Sequence, residues 1–210
     1  MDKKYQKSTT YTAITAKIIA TMLAATLLIA LIYGEYIKRE SIQNLAQIDA
    51  RKTSQLVFET LYSAMAKGWT KDDLKGIIDR LNNVDDKLDV TVYRGSLVAE
   101  LYGDIPEDEK ARKENKNVIS SFEGLEILDV KEEDFIEYYY PIHAKSECLK
   151  CHMNAKDGDV LGIINILYPV EELKVSLSQM INFFMGFIIL FSILMFLILF
   201  INFKKHLLNP

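Results

Sequence analysis

The chain has 210 residues, half of them apolar, which is room for one modest domain and something more, because the apolar half is concentrated in two long runs. Its formal net charge is −4, but 28 of the 29 acidic residues lie between those runs beside 19 of the 25 basic ones, so the middle of the chain carries −9. That balance argues against nucleic acid or an anionic lipid surface as a partner of the middle segment.

In chain order, the first run is Thr12 to Tyr33, long enough to cross a bilayer, with Lys17 near its start where the side chain reaches the interface. A basic start before an apolar run also marks a cleavable signal peptide. This run is longer than such a core, however, and Gly34-Glu35-Tyr36-Ile37 offers no small-x-small cleavage site, so an uncleaved transmembrane helix is expected over 12–33. Lys3, Lys4, Lys7 and Lys17, opposed by Asp2 alone, assign residues 1–11 to the cytoplasmic side.

No Pro or Gly interrupts residues 35–67, which are rich in Glu, Lys, Gln, Ala and Leu, so the helix is expected to continue as a stalk over 34–68 and to stop at Gly68. Near its end Phe58, Leu61, Tyr62 and Met65 recur at i, i+3, i+4 and i+7, a stripe that must pack on something. Thr70 reads as the N-cap of a second helix with Asp72 and Asp73 in its first turn. Leu74, Ile77, Ile78 and Leu81 repeat the stripe, and Asn82-Asn83 ends it.

Leu88 to Tyr93 alternates apolar and polar, Gly95-Ser96 reads as a tight turn, and Leu97 to Tyr102 as a returning strand, so a β-hairpin is expected. Pro106 opens a charged helix over 107–118, expected to be a solvated surface. Strands are expected around 125–130 and 135–142, and an apolar, β-branched central strand over 160–168 closed by Pro169. Residues 171–179 lead helically into the second run, Met180 to Phe203. Those 24 uncharged residues make roughly 36 Å of helix against about 30 Å of bilayer hydrocarbon. Lys204 and Lys205 place its far flank on the cytoplasmic side too. The expected fold class is α+β: an antiparallel sheet of about five strands with a long N-terminal stalk helix, residues 34–179 outside the membrane, between transmembrane helices 12–33 and 180–203.

Both cysteines of the chain fall in Cys148-Leu149-Lys150-Cys151-His152, the Cys-x-x-Cys-His spacing of covalent c-type haem attachment. Two thiols three residues apart add to the two vinyl groups of one porphyrin, and the next residue, His152, then ligates the iron. Three plainer readings compete. A thioredoxin-type dithiol belongs in a βαβ pattern that is missing here. A zinc site could draw on Cys148, Cys151, His152 and His143, although adjacent Cys151 and His152 would have to bend onto one tetrahedral ion. A structural disulfide across a two-residue gap closes too small a loop to stabilise much. For the iron's distal face the candidates are Met65, on the stalk stripe, and His143; Met153 adjoins His152 and cannot reach the opposite side. Met65 at helical spacing among Phe58, Leu61 and Tyr62 is equally a core methionine, and His143 equally a loop histidine or a propionate partner. An open distal site would bind NO, CO or O2, whereas a strong ligand would favour redox sensing or electron transfer. No nucleophile–base pair or paired carboxylates share a credible pocket, so no catalytic activity and no catalytic residues are expected.

Tyr140-Pro141, then Cys148 to His152, then Gly158-Asp159-Val160-Leu161-Gly162-Ile163-Ile164 together resemble the Tll0287-like haem domain, and more broadly the periplasmic c-type haem PAS domains of bacterial chemoreceptors and sensor kinases. The close resemblance covers 138–168, and the order of elements extends it loosely over 34–180; residues 106–118 lack the proline-rich segment of that family. The resemblance implies a PAS-like fold with one covalent haem c against the sheet. Lys204 to Pro210 is similar to the opening of a cytoplasmic HAMP linker. The expected function is therefore the input domain of a two-pass receptor in the bacterial inner membrane, its haem domain in the periplasm, sensing redox state or a diatomic gas. The alternative is a membrane-anchored c-type cytochrome passing electrons to a redox partner. A homodimer through stalk and membrane helices is expected by the same likeness, although Ile37, Leu45, Ile48 and Leu56 do not sustain a clean heptad.

Overall fold

A computed structural model describes residues 2–84, 88–132 and 134–208. Met1 and the last two positions of the HAMP-like stretch, Asn209 and Pro210, lie outside the described residues. The chain divides into two compact units, one made of Met1–Ile42 with Leu173–Pro210 and the other of Gln43–Glu172.

The first unit consists of the apolar parts of two helices, α1 (Asp2–Ala66) and α6 (Glu171–Leu208). Both are long and apolar enough to cross a membrane. Their apolar side chains are exposed, among them Met22, Ile29, Phe183 and Phe187. The hydroxyls of Thr21 and Thr26 donate to carbonyls one turn back, Thr21 to Lys17 O at 3.0 Å and Thr26 to Met22 O at 2.9 Å. A hydroxyl satisfied within its own helix suits a surrounding without water. The two helices meet at Gly34, where an added Cβ would lie 3.9 Å from the Ile181 side chain.

The second unit contains the rest of α1, then α2 (Lys71–Asn82), β1 (Asp89–Arg94), α3 (Ser96–Tyr102), α4 (Pro106–Glu114), α5 (Lys116–Phe122), β2 (Ile127–Glu132), β3 (Phe135–His143) and β4 (Val160–Pro169). The described residues form one four-stranded antiparallel sheet in the order β1-β4-β3-β2. The two longest strands, β3 and β4, pair at its centre from Phe135 opposite Pro169 to His143 opposite Val160. The Val-Leu-Gly-Ile-Ile-Asn-Ile-Leu-Tyr run of β4 is central because it is buried on both sides. On one face Val90, Ile164 and Ile166 pack with Val57 and Leu61 of α1 and with Leu74, Ile77, Ile78 and Leu81 of α2. On the other, Tyr139 and Ile163 pack with Val118 and Phe122 of α5 and Ala111 of α4. The whole α2 stripe read from the sequence meets the sheet; of the α1 stripe Phe58 and Leu61 do, joined by Val57 from outside it, whereas Met65 is exposed.

Within this unit α1 turns small side chains inward: Ala46, Ala50 and Ser54 are fully buried, and the Ser54 hydroxyl donates to Ala50 O at 2.8 Å. Arg51 joins α1 to the sheet through the Glu126 carboxylate and, at 3.3 Å, the Tyr138 hydroxyl. The Tyr168 hydroxyl reaches Asp49 at 3.4 Å. The Tyr138 hydroxyl also donates to Glu126, and burial, reinforced by that carboxylate, holds its pKa far above the ordinary phenol value.

The expected hairpin 88–93/97–102 is not formed, and four strands rather than about five are described. Leu97 to Tyr102 is helix α3, and β1 takes β4 as its partner from Asp89 opposite Leu167 to Arg94 opposite Gly162. Leu97, Val98, Leu101 and Tyr102 fit a helical period as well as an alternating one, and the long apolar β4 is the better partner for β1. Gly95 makes the junction. Its N–H donates to Leu161 O at 2.8 Å, and a Cβ placed there would stand 2.8 Å from that same carbonyl oxygen. Gly95→Ala is therefore expected to destabilise the domain by about 2 kcal/mol in urea unfolding, through a backbone clash that only movement of β1 or β4 relieves.

The charged stretch differs from expectation in part. It divides at Asn115, whose side chain accepts from Asn117 N at 3.0 Å and Val118 N at 3.3 Å to cap α5. Val118 and Ser121 are fully buried, and Asp108 of α4 is buried against Arg94 at 2.9 Å, while Glu107, Glu109, Lys110, Lys113 and Glu114 are exposed, so the segment has a packed inner side beside the solvated outer one that was expected.

The predicted cap of α2 is present as a reciprocal box: Asp73 N donates to the Thr70 hydroxyl oxygen at 3.3 Å, and Thr70 N donates to the Asp73 carboxylate at 2.9 Å. The Thr70 side chain and then its backbone N–H hold the Asp73 carboxyl below the ordinary carboxylate range. A depressed folded-state pKa contributes stability above the unfolded value of about 3.9 and loses it as pH falls through the folded one. Between neutrality and pH ~4 the amides of residues 71–74 should therefore keep their hydrogen-exchange protection, lose it at lower pH, and in Asp73→Asn depend less on pH.

Candidate functional site

β3 ends at His143 and β4 begins at Val160, so the Cys-x-x-Cys-His motif occupies the loop that joins the two central strands. The base of the loop is closed by the backbone: Ala144 N donates to Asp159 O at 2.7 Å and Gly158 N to Ala144 O at 2.9 Å. Gly158 takes φ 90°, a conformation that favours glycine. The Asp159 carboxylate accepts from Lys156 N at 2.7 Å.

Inside the loop Cys148–Lys150 is a single 3-10 turn. The Cys148 carbonyl accepts from both Cys151 N at 3.1 Å and His152 N at 3.0 Å, which gathers the three motif residues into one turn. Both cysteines are free thiols. Cys148 is buried with Ala144 and Leu161, beside Val98, Leu149 and Ala155, whereas Cys151 is exposed. His152 is partly buried, its Nδ1 is buried with no hydrogen-bond partner, and burial pushes its pKa below the ordinary imidazole value. Burial thus favours the neutral ring, the form in which histidine ligates metals.

Two helices of the same unit flank the motif. On the α1 side, the Lys145 ammonium lies 5.4 Å from the Phe58 ring centroid and 3.9 Å from the Glu59 carboxylate. The Tyr62 hydroxyl is held above the ordinary phenol value by burial first, then by Glu147 and Cys148. On the α3 side, the Tyr102 hydroxyl donates to Cys151 O at 2.9 Å and its ring stands edge-on to the His152 imidazole, 5.6 Å between centroids. Asn154 Nδ2 donates to Leu97 O at 2.8 Å and to the Glu100 carboxylate at 3.1 Å.

Cys148, Cys151 and His152 are brought together in one turn. Met65 lies on α1 three residues beyond Tyr62, on the stripe that runs past the motif, and its side chain is exposed. His143 sits at the base of the loop with Nδ1 3.0 Å from Gly158 O and its ring against Gly124. No group of three or more His, Cys, Asp or Glu side chains among the described residues could hold a metal ion, so the four-ligand zinc site weighed from the sequence is not assembled. An open cavity of about 620 Å³ between α1 and α2, lined by Leu56, Thr60, Trp69, Ile77 and Arg80, includes no motif residue. Tyr102 and Asn154 are not evident from the sequence, because their segments meet only once β1 pairs with β4. No family model matches the chain, and no match was found among curated proteins or solved structures.

Proposed function

We propose that the chain is the membrane-bound, c-type haem input domain of a bacterial signalling receptor. Cys148 and Cys151 would carry the haem by two thioethers, and His152 would ligate its iron. The observation that carries this reading is the turn around the Cys148 carbonyl, which accepts from Cys151 N and His152 N and so holds two cysteines and a histidine with an unpartnered ring nitrogen in one turn. These residues fit the group. A porphyrin supplies four of the iron's ligands itself, so one imidazole suffices where a bare ion would need a cluster of side chains. Bound there, a haem supplies one-electron redox change and affinity for diatomic gases.

Met65 is proposed as the distal ligand, because α1 already lines the motif through Phe58, Glu59 and Tyr62. His143 is the second choice, since one of its ring nitrogens is engaged with Gly158. We read the sheet as PAS-like, with α1 and α2 on one face and α4 and α5 on the other. The acidic domain is assigned to the periplasm and the basic flanks of the two apolar helices to the cytoplasm, from the charge asymmetry. Unbroken helix from the first apolar run to Ala66 supports a signalling role over that of a simple anchored carrier.

Expression of the full chain in a host that matures c-type cytochromes tests the proposal. A haem-staining band that survives denaturing electrophoresis is the expected result, and an unstained band overturns it. Exposure of the reduced protein to CO separates a gas sensor, whose spectrum shifts, from a redox sensor or carrier, whose spectrum does not.

A further inference from the structure

We propose that Tyr102 is a positioning residue for His152, fixing from α3 both the plane of the imidazole and the peptide that joins it to Cys151; the inference rests on the haem reading above. Tyr102 is the last residue of α3, and Gly103 behind it takes φ 81°, so the chain turns away at once and the ring is held at a helix end. Its hydroxyl donates to the Cys151 carbonyl at 2.9 Å, the carbonyl of the peptide group whose nitrogen belongs to His152. Its ring meets the imidazole edge-on at 75°. Two residues further along, Asn154 binds Leu97 O and Glu100 of the same helix, so α3 grips the loop on both sides of His152. Val98 adds an apolar contact at the buried end of the motif, against the cluster of Ala144, Cys148 and Leu161.

The second nitrogen of a metal-ligating histidine ordinarily donates to a carboxylate, carbonyl or water, and that bond fixes the ring's rotation and raises its basicity. His152 Nδ1 is buried and has no such partner. The rotation of this imidazole is therefore left to packing, and Tyr102 is the aromatic surface that packs on it. An edge-to-face pair of this kind has a definite preferred geometry, unlike an aliphatic contact. Tyr102 thus takes over, by ring contact and by a hydrogen bond to the neighbouring peptide, the task that a hydrogen bond to Nδ1 performs elsewhere.

The two parts of the role come apart in two variants. Tyr102→Phe keeps the ring and loses the hydroxyl; Tyr102→Leu loses both. In the full-length chain produced with c-type maturation, all three proteins should stain for covalent haem, since neither variant touches a thiol. At a fixed solution potential the ratio of reduced to oxidised haem in Tyr102→Leu should differ from the parent by about threefold or more, with Tyr102→Phe between them. In a haem-free background, Cys148→Ala with Cys151→Ala, adding Tyr102→Phe should speed hydrogen exchange of the 151–155 amides roughly fivefold, the equivalent of one hydrogen bond, and leave β3 and β4 unchanged. Stained proteins with identical redox ratios, or unchanged exchange in the haem-free background, overturn the positioning role alone. Absence of stain from the parent itself overturns the haem reading and with it the redox part of the inference, while the exchange result still decides whether Tyr102 holds the loop.

Discussion

Replacing Cys148 and Cys151 together with Ala is expected to abolish the haem band on a denaturing gel and the visible absorbance that goes with it, while the domain remains folded. The reason for separating fold from attachment is that the two sites differ in surroundings. Cys151 is exposed, so Cys151→Ala alone should move stability by no more than about 0.5 kcal/mol. Cys148 is packed among Ala144, Leu161 and Val98, and Cys148→Ser there sets a hydroxyl in an apolar cluster at a cost of about 1–2 kcal/mol. His152→Ala with both cysteines intact separates attachment from ligation: staining should persist, because both proposed thioethers would remain, but the absorption spectrum should change, because the iron would lose the protein ligand proposed for it. A His152→Ala spectrum identical to that of the parent would remove His152 from the assignment.

The largest loss of stability is expected from Ile164→Ala. Ile164 is wholly buried in β4, opposite Val92 on one side and Tyr140 on the other, and belongs to the cluster that joins the sheet to Val57 and Leu61 of α1. Truncating such a side chain typically costs 2–5 kcal/mol, and about 4 is expected here, since strands on both sides and a helix above leave the cavity little room to collapse. Trp69, the sole tryptophan, lies in the groove between α1 and α2, so its fluorescence in urea reports whether that layer separates from the sheet. A shift in urea midpoint equivalent to less than 1 kcal/mol would mean that β4 is not the centre of the core.

Features that local chemistry dictates were legible in the residues. The Thr70 cap with its carboxylate three residues on, the stripe of α2, the apolar run of β4 and the motif loop before it all depend on near neighbours. The Cys-x-x-Cys-His turn is legible for the same reason, since its residues are near neighbours in sequence. α3 was not legible. Six residues such as Leu97 to Tyr102 satisfy an alternating and a helical period alike, and the choice is made by β4, about 70 residues on, which takes the edge of β1. Misplacing α3 hid Tyr102 and Asn154, whose partners lie 49 and 57 residues away. The charged stretch misled in another way. Its abundant Lys and Glu mask Val118 and Ser121, two positions that decide which side of α5 faces the sheet.

The buried edge of α1 has a mechanical meaning. Alanine and serine side chains at 46, 50 and 54 present an almost smooth rail, with no large knob set into a matching hole. What fixes the helix along its axis in that region is directional: Arg51 to Glu126 and Tyr138, and Asp49 to Tyr168. Steric interlock resists displacement steeply and everywhere, whereas hydrogen bonds and ion pairs act over a few tenths of an ångström and then release. Along this stretch the helix therefore has detents rather than teeth, and the apolar interlock that holds it lies one turn further on, at Val57 and Leu61.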